Sequence, residues 1–268
     1  MPIATFDDIS IHHRVYGRED APPLLGIMGF GLDQRFWAAQ IPAVTETHRF
    51  ITFDNRGVGR STGEPAFTIE DMAEDAIRLL DHLEIERTVL MGVSMGGAIS
   101  QRLILDHPER FSALILGITW ARPIEFMARQ SALSRLIIAG GGADAMLEGA
   151  LVRMFSPQFF EVGADVIDRM LQAFDLNGGE DIAPPEVLLA QLDAVDKHNT
   201  LAELGSISVP TLVVGGKMDM MVPYFAQEEI AAAIPGAKLA TFETGHGLMV
   251  EEMQPFNDRL HAFLKGLV

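Results

Sequence analysis

The 268-residue sequence predicts an α/β fold, a mostly parallel eight-stranded sheet with helices on both faces. Short, continuously apolar runs recur along the chain, and helical patterns with start and stop signals fall between them. Strand and helix in alternation bury both their apolar faces only when parallel strands are covered from two sides.

Residues 3–6 and 10–16 flank Asp7-Asp8 and are rich in β-branched and aromatic side chains, which predicts an opening hairpin. Runs at 24–28, 49–53, 88–92, 113–118, 211–215 and 238–242 predict the other strands, most of them too apolar to face water. The clearest helix spans 69–83, where Ile69, Met72, Ala73, Ala76, Ile77, Leu80 and Leu83 recur at helical spacing behind a Thr68-x-x-Asp71 cap. Further helices are expected at 95–106, stopped by His107-Pro108, at 224–234 before Pro235-Gly236, and at 253–267. Residues 122–204 break the alternation: amphipathic segments and breaks at Gly140-Gly141-Gly142, Asn177-Gly178-Gly179 and Pro184-Pro185 appear without a strand. The expectation is a helical cap, or lid, at 122–204 inserted into a core domain made of 1–121 and 205–268.

Composition narrows the function classes. Acidic residues outnumber basic ones 37 to 20, and the net charge of −17 repels phosphate backbones and anionic lipid, so neither nucleic acid nor a membrane is an expected partner. There is no cysteine, which removes disulfides, thiolate metal sites and a cysteine nucleophile. The acidic start MPIATFDD does not resemble a signal peptide, and no stretch approaches the roughly 20 apolar residues of a membrane span, so a cytoplasmic location is expected. Monomer and homodimer both stay open.

The chemistry is concentrated at Met91-Gly92-Val93-Ser94-Met95-Gly96-Gly97, a Gly-x-Ser-x-Gly sequence between an expected strand and an expected helix. A serine on so tight a turn takes a strained conformation and is pushed into the open, while glycines two residues before and after admit close neighbours. The Met95 N–H, at the helix start, favours an oxyanion there. A serine hydroxyl needs a base, and of eight histidines His246 is the best placed, in Glu243-Thr244-Gly245-His246-Gly247 just past the last expected strand. His12, His13, His48, His82, His107, His198 and His261 are assigned surface or packing roles. Asp219, after the 211–215 strand, is the carboxylate expected to orient the imidazole; Thr119-Trp120-Ala121-Arg122-Pro123, after the 113–118 strand, offers no competitor. A second oxyanion donor is expected in Met28-Gly29-Phe30-Gly31, at Phe30 N–H. Met28, Met127, Met221 and Met249 are expected to line an apolar substrate pocket.

With these pieces placed, the chain resembles the α/β-hydrolase superfamily over nearly its whole length, and particularly its small capped esterases and enol-lactonases. Asp54-Asn55-Arg56-Gly57-Val58-Gly59-Arg60-Ser61 is similar to that family's Asp-x-Arg-Gly-x-Gly-x-Ser loop, and Val209-Pro210-Thr211-Leu212-Val213 to the strand entering its acid loop. Ile234-Pro235-Gly236-Ala237 and Pro255-Phe256-Asn257 fit as well. The resemblance implies the α/β-hydrolase fold, Ser94, Asp219 and His246 as a triad, and Phe30 with Met95 as oxyanion donors. One departure is Met28-Gly29, where many relatives carry His-Gly, which bears on how the Phe30 loop is anchored. The carbon–carbon bond hydrolases of the family usually carry Asn before the nucleophile, whereas this chain has Val93; the epoxide and haloalkane branches use Asp where this chain has Ser94.

The expected activity is hydrolysis of a small hydrophobic carboxylic ester or lactone through an acyl-enzyme on Ser94, with no metal or cofactor required. An enol-lactonase or carbon–carbon bond hydrolase on the same scaffold, and a ligand receptor that kept the fold without the chemistry, are the alternatives.

Overall fold

The computed structural model describes residues 2–140, 142–173 and 183–268. The chain opens with β1 (Ile3–Thr5), β2 (Ser10–Tyr16) and β3 (Pro23–Ile27), followed by α1 (Ile41–Thr45) and β4 (Arg49–Phe53). Next come α2 (Ile69–His82), β5 (Thr88–Val93), α3 (Met95–Asp106) and β6 (Phe111–Gly117). Between β6 and β7 (Thr211–Gly216) lie α4 (Glu125–Gly140), α5 (Gly142–Met154), α6 (Pro157–Ala173) and α7 (Pro185–Lys197). The chain closes with α8 (Phe225–Ala233), β8 (Lys238–Phe242), α9 (Leu248–Glu251) and α10 (Met253–Lys265).

The strands form one eight-stranded sheet in the order β1-β2-β4-β3-β5-β6-β7-β8. β1 pairs antiparallel with β2, and β2 with β4; every pair from β4 through β3 to β8 is parallel. Alternating side chains separate two apolar layers. Leu25, Ile27, Ile51, Leu90, Leu114, Leu116 and Val213 pack on one face with Met72, Ala76 and Leu80 of α2, Ile99 and Leu103 of α3, and Ile230 of α8. Leu24, Phe50, Val89, Met91, Ile115, Leu212 and Val214 pack on the other with Val44 of α1 and Phe256, Leu260 and Leu264 of α10.

Local signals act where the residues place them. Thr68 and Asp71 form a reciprocal capping box, with Asp71 N donating to Thr68 Oγ1 at 3.2 Å and Thr68 N to Asp71 Oδ2 at 2.8 Å. Pro185 opens α7, where a missing N–H costs nothing. β6 starts at Phe111, two residues before the expected 113, because a shift in register at Thr88/Val89 lets Phe111 pair with Thr88. Of the breaks expected in 122–204, Gly141 and Asn177-Gly178-Gly179 lie outside the described residues. Among the described residues, no helix is long and apolar enough to cross a membrane.

Because β3, β5, β7 and β8 run parallel, the loops following them all emerge at the same edge of the sheet. Those loops hold Phe30, Ser94, Asp219 and His246.

Candidate active site

Ser94 sits between β5 and α3 with φ 53° and ψ −123°, a conformation that costs a non-glycine residue about 1–3 kcal/mol and persists only when its surroundings hold it. They do: Ser94 N donates to Gly117 O at 2.9 Å, and Ser94 O accepts from Gly97 N at 2.9 Å and Thr119 Oγ1 at 2.8 Å. The neighbouring glycines are sterically required. A Cβ on Gly92 would lie 2.2 Å from Gly96 O, and one on Gly96 would lie 2.1 Å from Ile27 O. Met95 is the first residue of α3, so its N–H has no partner within the helix, and the helix dipole adds positive potential beside Ser94.

Four residues beyond β8, His246 Nε2 lies 2.9 Å from Ser94 Oγ, and its Nδ1 lies 2.7 Å from Asp219 Oδ2. Asp219 Oδ1 accepts from the amides of Met221 and Val222, both at 2.8 Å. The Asp219 side chain is fully buried and that of His246 is 8% exposed, so these three hydrogen bonds replace the water that a carboxylate needs. An ionised carboxylate only accepts, so the imidazole proton belongs on Nδ1, and Nε2 is left with a lone pair facing the Ser94 hydroxyl. The acid and base loops are also joined through their backbones, Lys217 N to Phe242 O and Met218 N to Thr244 O, both at 2.9 Å.

The loop after β3 is anchored without the histidine that many relatives of the resembled family carry. Asn55 Nδ2 donates to Met28 O at 3.0 Å, and Gln191 Oε1 on α7 accepts from Gly31 N at 2.8 Å. These bonds fix the loop on both sides of Phe30. A Cβ on Gly29 would come 3.1 Å from Ser94 Cβ, so the loop passes directly beside the serine. Asp54 braces the adjacent turn, accepting from Gln34 N at 3.0 Å and Arg60 N at 3.1 Å and contacting His12 Nδ1 at 2.8 Å.

Glu251 at the end of α9 ties the His246 loop to the turn between α5 and α6. Its Oε1 accepts from Gly245 N at 2.9 Å and Ser156 N at 3.0 Å, and its Oε2 from Ser156 Oγ at 2.5 Å. Gly247 N donates to Met154 O at 2.6 Å, so both neighbours of His246 are held from that side. A Cβ on Gly247 would lie 2.4 Å from the Phe155 ring, which leaves room for glycine alone.

Ser94 and His246 open onto a cavity of about 510 Å³ between the sheet edge and the helices of the β6–β7 segment. Met28, Met127, Met221 and Met249 all line it, as do Phe30, Met95 and Trp120, and its surface is predominantly apolar. The other histidines are engaged elsewhere. His107 faces Glu74 at 3.8 Å and His261 faces Glu46 at 3.4 Å. His198 is buried beside Gln101, Thr200 and the Trp120 ring, and burial lowers it to about 4. Sequence reasoning missed Asn55, Gln191 and Glu251 as supports; only Asn55 had a local signal, since it lies in the Asp54–Ser61 motif.

Comparison with known proteins agrees with this architecture. A family model described as alpha/beta hydrolase fold matches residues 22–134. The chain is 30% identical over 251 residues to the protein named "Putative carbamate hydrolase RutD" of Pseudomonas savastanoi pv. phaseolicola, covering 92% of this chain and 95% of that one. It superposes on the enol-lactonase from Burkholderia xenovorans LB400 with a TM-score of 0.89 and 26% identity, covering 98% of this chain and all of that one, 100%. A thermophilic esterase from Thermogutta terrifontis gives a TM-score of 0.82 and 28% identity over 98% of this chain and 96% of its own. With a full-length relative at this identity, the serine turn between strand and helix, and the parallel sheet that carries it, the chain belongs to the α/β-hydrolase family and is a hydrolase.

Proposed function

We propose that this hydrolase cleaves small, hydrophobic carboxylic esters through an acyl-enzyme on Ser94. The reading rests on one observation, the hydrogen-bond chain from Ser94 Oγ through His246 to Asp219 beside an apolar cavity. Ser94 Oγ attacks the ester carbonyl while His246 Nε2 takes its proton; the imidazolium that forms is stabilised by Asp219. The Met95 and Phe30 amides receive the developing oxyanion, each donor lowering the barrier by about 3 kcal/mol. His246 then returns the proton to the leaving alkoxide, and water repeats the sequence to release the acid. The helices α4 to α7 serve as the cap that keeps water from the acyl-enzyme, and Met28, Met127, Met221 and Met249 adapt to the acyl or alcohol group.

A second reading is opening of an enol-lactone, supported by similarity to the Burkholderia enol-lactonase over the whole chain. It uses the same residues and differs only in that the leaving enolate stays tethered to the acyl group. Cleavage of a carbamate, as named for the Pseudomonas relative, is the third carbonyl chemistry the same arrangement accommodates. The experiment is release of p-nitrophenol from short acyl esters by wild type and Ser94→Ala, run beside a panel of lactones and carbamates. Turnover that disappears in Ser94→Ala is expected; turnover that survives unchanged removes Ser94 as nucleophile. The ratio of kcat/KM among esters, lactones and carbamates decides between the three carbonyl classes.

A further inference from the structure

Arg153, near the end of α5, borders the same cavity. Its Nε donates to Gly149 O at 2.6 Å, and its Nη1 to Gln130 Oε1 at 3.2 Å and Ser134 Oγ at 3.1 Å. All three acceptors are neutral, and Nη2 makes no hydrogen bond among the described residues. Several arginines elsewhere in the chain meet carboxylates: Arg56 reaches Asp75 at 2.6 Å, Arg122 reaches Glu229 at 2.6 Å and Arg135 reaches Asp193 at 2.8 Å. Burial alone pushes the Arg153 guanidinium below its ordinary value, as expected for a charge withdrawn from water, and among the described residues no carboxylate pairs with it. Asp196, an acid that also borders the cavity, is already answered by Ser131 Oγ at 2.8 Å and Arg135 at 2.9 Å.

The position is as telling as the charge. Gln130, which holds Nη1, donates its Nε2 to Met220 O at 2.6 Å, one residue from Asp219. Met154, next to Arg153, accepts from Gly247 N, one residue from His246. The guanidinium therefore stands on the side of the cavity formed by the acid and base loops, in a wall that is otherwise mostly apolar. A partly desolvated guanidinium is matched by a carboxylate, which its planar fork binds through charge-assisted hydrogen bonds. The net charge of −17 does not oppose this at short range, because charges beyond about 8 Å are screened at physiological ionic strength.

We propose that Arg153 forms an anion subsite, and that the preferred substrates are esters or lactones whose apolar portion carries a carboxylate a few bonds from the scissile carbonyl. This rests on the hydrolase reading of Ser94 and deepens it. The test compares p-nitrophenyl mono-esters of straight-chain dicarboxylic acids with methyl-terminated esters of equal length, in wild type, Arg153→Met and Arg153→Lys. In wild type, kcat/KM favours the carboxylate member at one or more chain lengths by at least about tenfold, the scale of one charge-assisted hydrogen bond. Arg153→Met brings the ratio to about 1 and Arg153→Lys leaves an intermediate value, while Arg169→Met, in the exposed Asp165 pair of α6, keeps the wild-type ratio. A wild-type ratio near 1 at every length, or a preference that survives Arg153→Met, overturns the subsite.

Calorimetric binding of the free straight-chain dicarboxylates to Ser94→Ala, with and without Arg153→Met, reads the subsite without turnover. Affinity that falls tenfold or more with Arg153→Met supports the subsite; equal affinity, or no binding to either protein, overturns it. A wild type that hydrolyses neither ester yet binds dicarboxylates through Arg153 removes the hydrolase reading of Ser94 and keeps the subsite.

Discussion

Glu251→Ala loosens the histidine loop without touching a reacting atom. The carboxylate accepts three hydrogen bonds, from Gly245 N, Ser156 N and Ser156 Oγ, at 2.9, 3.0 and 2.5 Å. Bonds to a charged acceptor contribute about 1.5–3 kcal/mol each, but the half-buried site lets water replace part of the loss, so the expected net destabilisation is about 2–4 kcal/mol. At roughly 2–4 °C per kcal/mol for a chain of this size, the thermal midpoint falls by about 10 °C. The kinetic effect acts through His246, whose neighbour Gly245 loses its tether; a displacement near 1 Å typically costs about 100-fold, so kcat is expected to fall by about 10- to 100-fold. KM moves little, because Glu251 is not among the residues that line the cavity. Steady-state p-nitrophenyl ester kinetics at 25 °C, with a melt of each protein, separate the two effects. Glu251→Gln keeps one acceptor oxygen and recovers most of kcat. A folded Glu251→Ala protein with wild-type kcat refutes the claim that this clamp positions the base.

Two further outcomes follow from the same geometry. Asp219→Asn preserves the shape of the acid loop but offers His246 an amide in place of a carboxylate, so the imidazole tautomer is no longer fixed; kcat falls by about 10⁴, as at comparable serine sites, and pre-steady-state release of p-nitrophenol measures it. His198 titrates near 4 in the folded protein because burial disfavours its charge, against about 6.5 in the unfolded chain. As pH falls from 6.5 towards 4 the unfolded chain takes up the proton first, so folding loses about 3 kcal/mol across that window. His13 and His48, also lowered by burial, act in the same direction. His198→Asn is expected to narrow the difference between urea midpoints at pH 7 and pH 4.5; an undiminished difference shows that His198 carries none of it.

The strand pattern, the serine turn and the positions of His246 and Asp219 were legible because each is a local signal. Ser94 directly follows its strand, with glycines that only a close crossing requires, and Asp219 and His246 lie within a few residues of strand ends. A parallel sheet then brings the loops after such strands to one edge, so strand-end position stands in for spatial proximity. No such proxy exists for the supports. Gln191 meets its partner across 160 residues and Glu251 meets Ser156 across 95, and in both cases one partner lies in the segment from α4 to α7, whose docking leaves no periodic trace in the chain. Met28 illustrates the same limit from the other side. The missing histidine was visible, whereas its replacement by Asn55 and Gln191 depends on how β3, β4 and α7 lie against one another.

The consequence concerns how specificity and reactivity are joined in this chain. Residues 153–156 carry the guanidinium that borders the cavity, the carbonyl that holds Gly247 N and the serine that engages Glu251. In the proposed subsite, the segment that would offer a charge to the substrate is therefore the same segment that holds the His246 loop. A substitution that moves it to fit another ligand also moves His246 relative to Ser94, where a bond of 2.9 Å leaves little slack. Specificity in such an arrangement changes most cheaply through side chains on the cavity wall, such as Met127 or Met221, which touch neither tether.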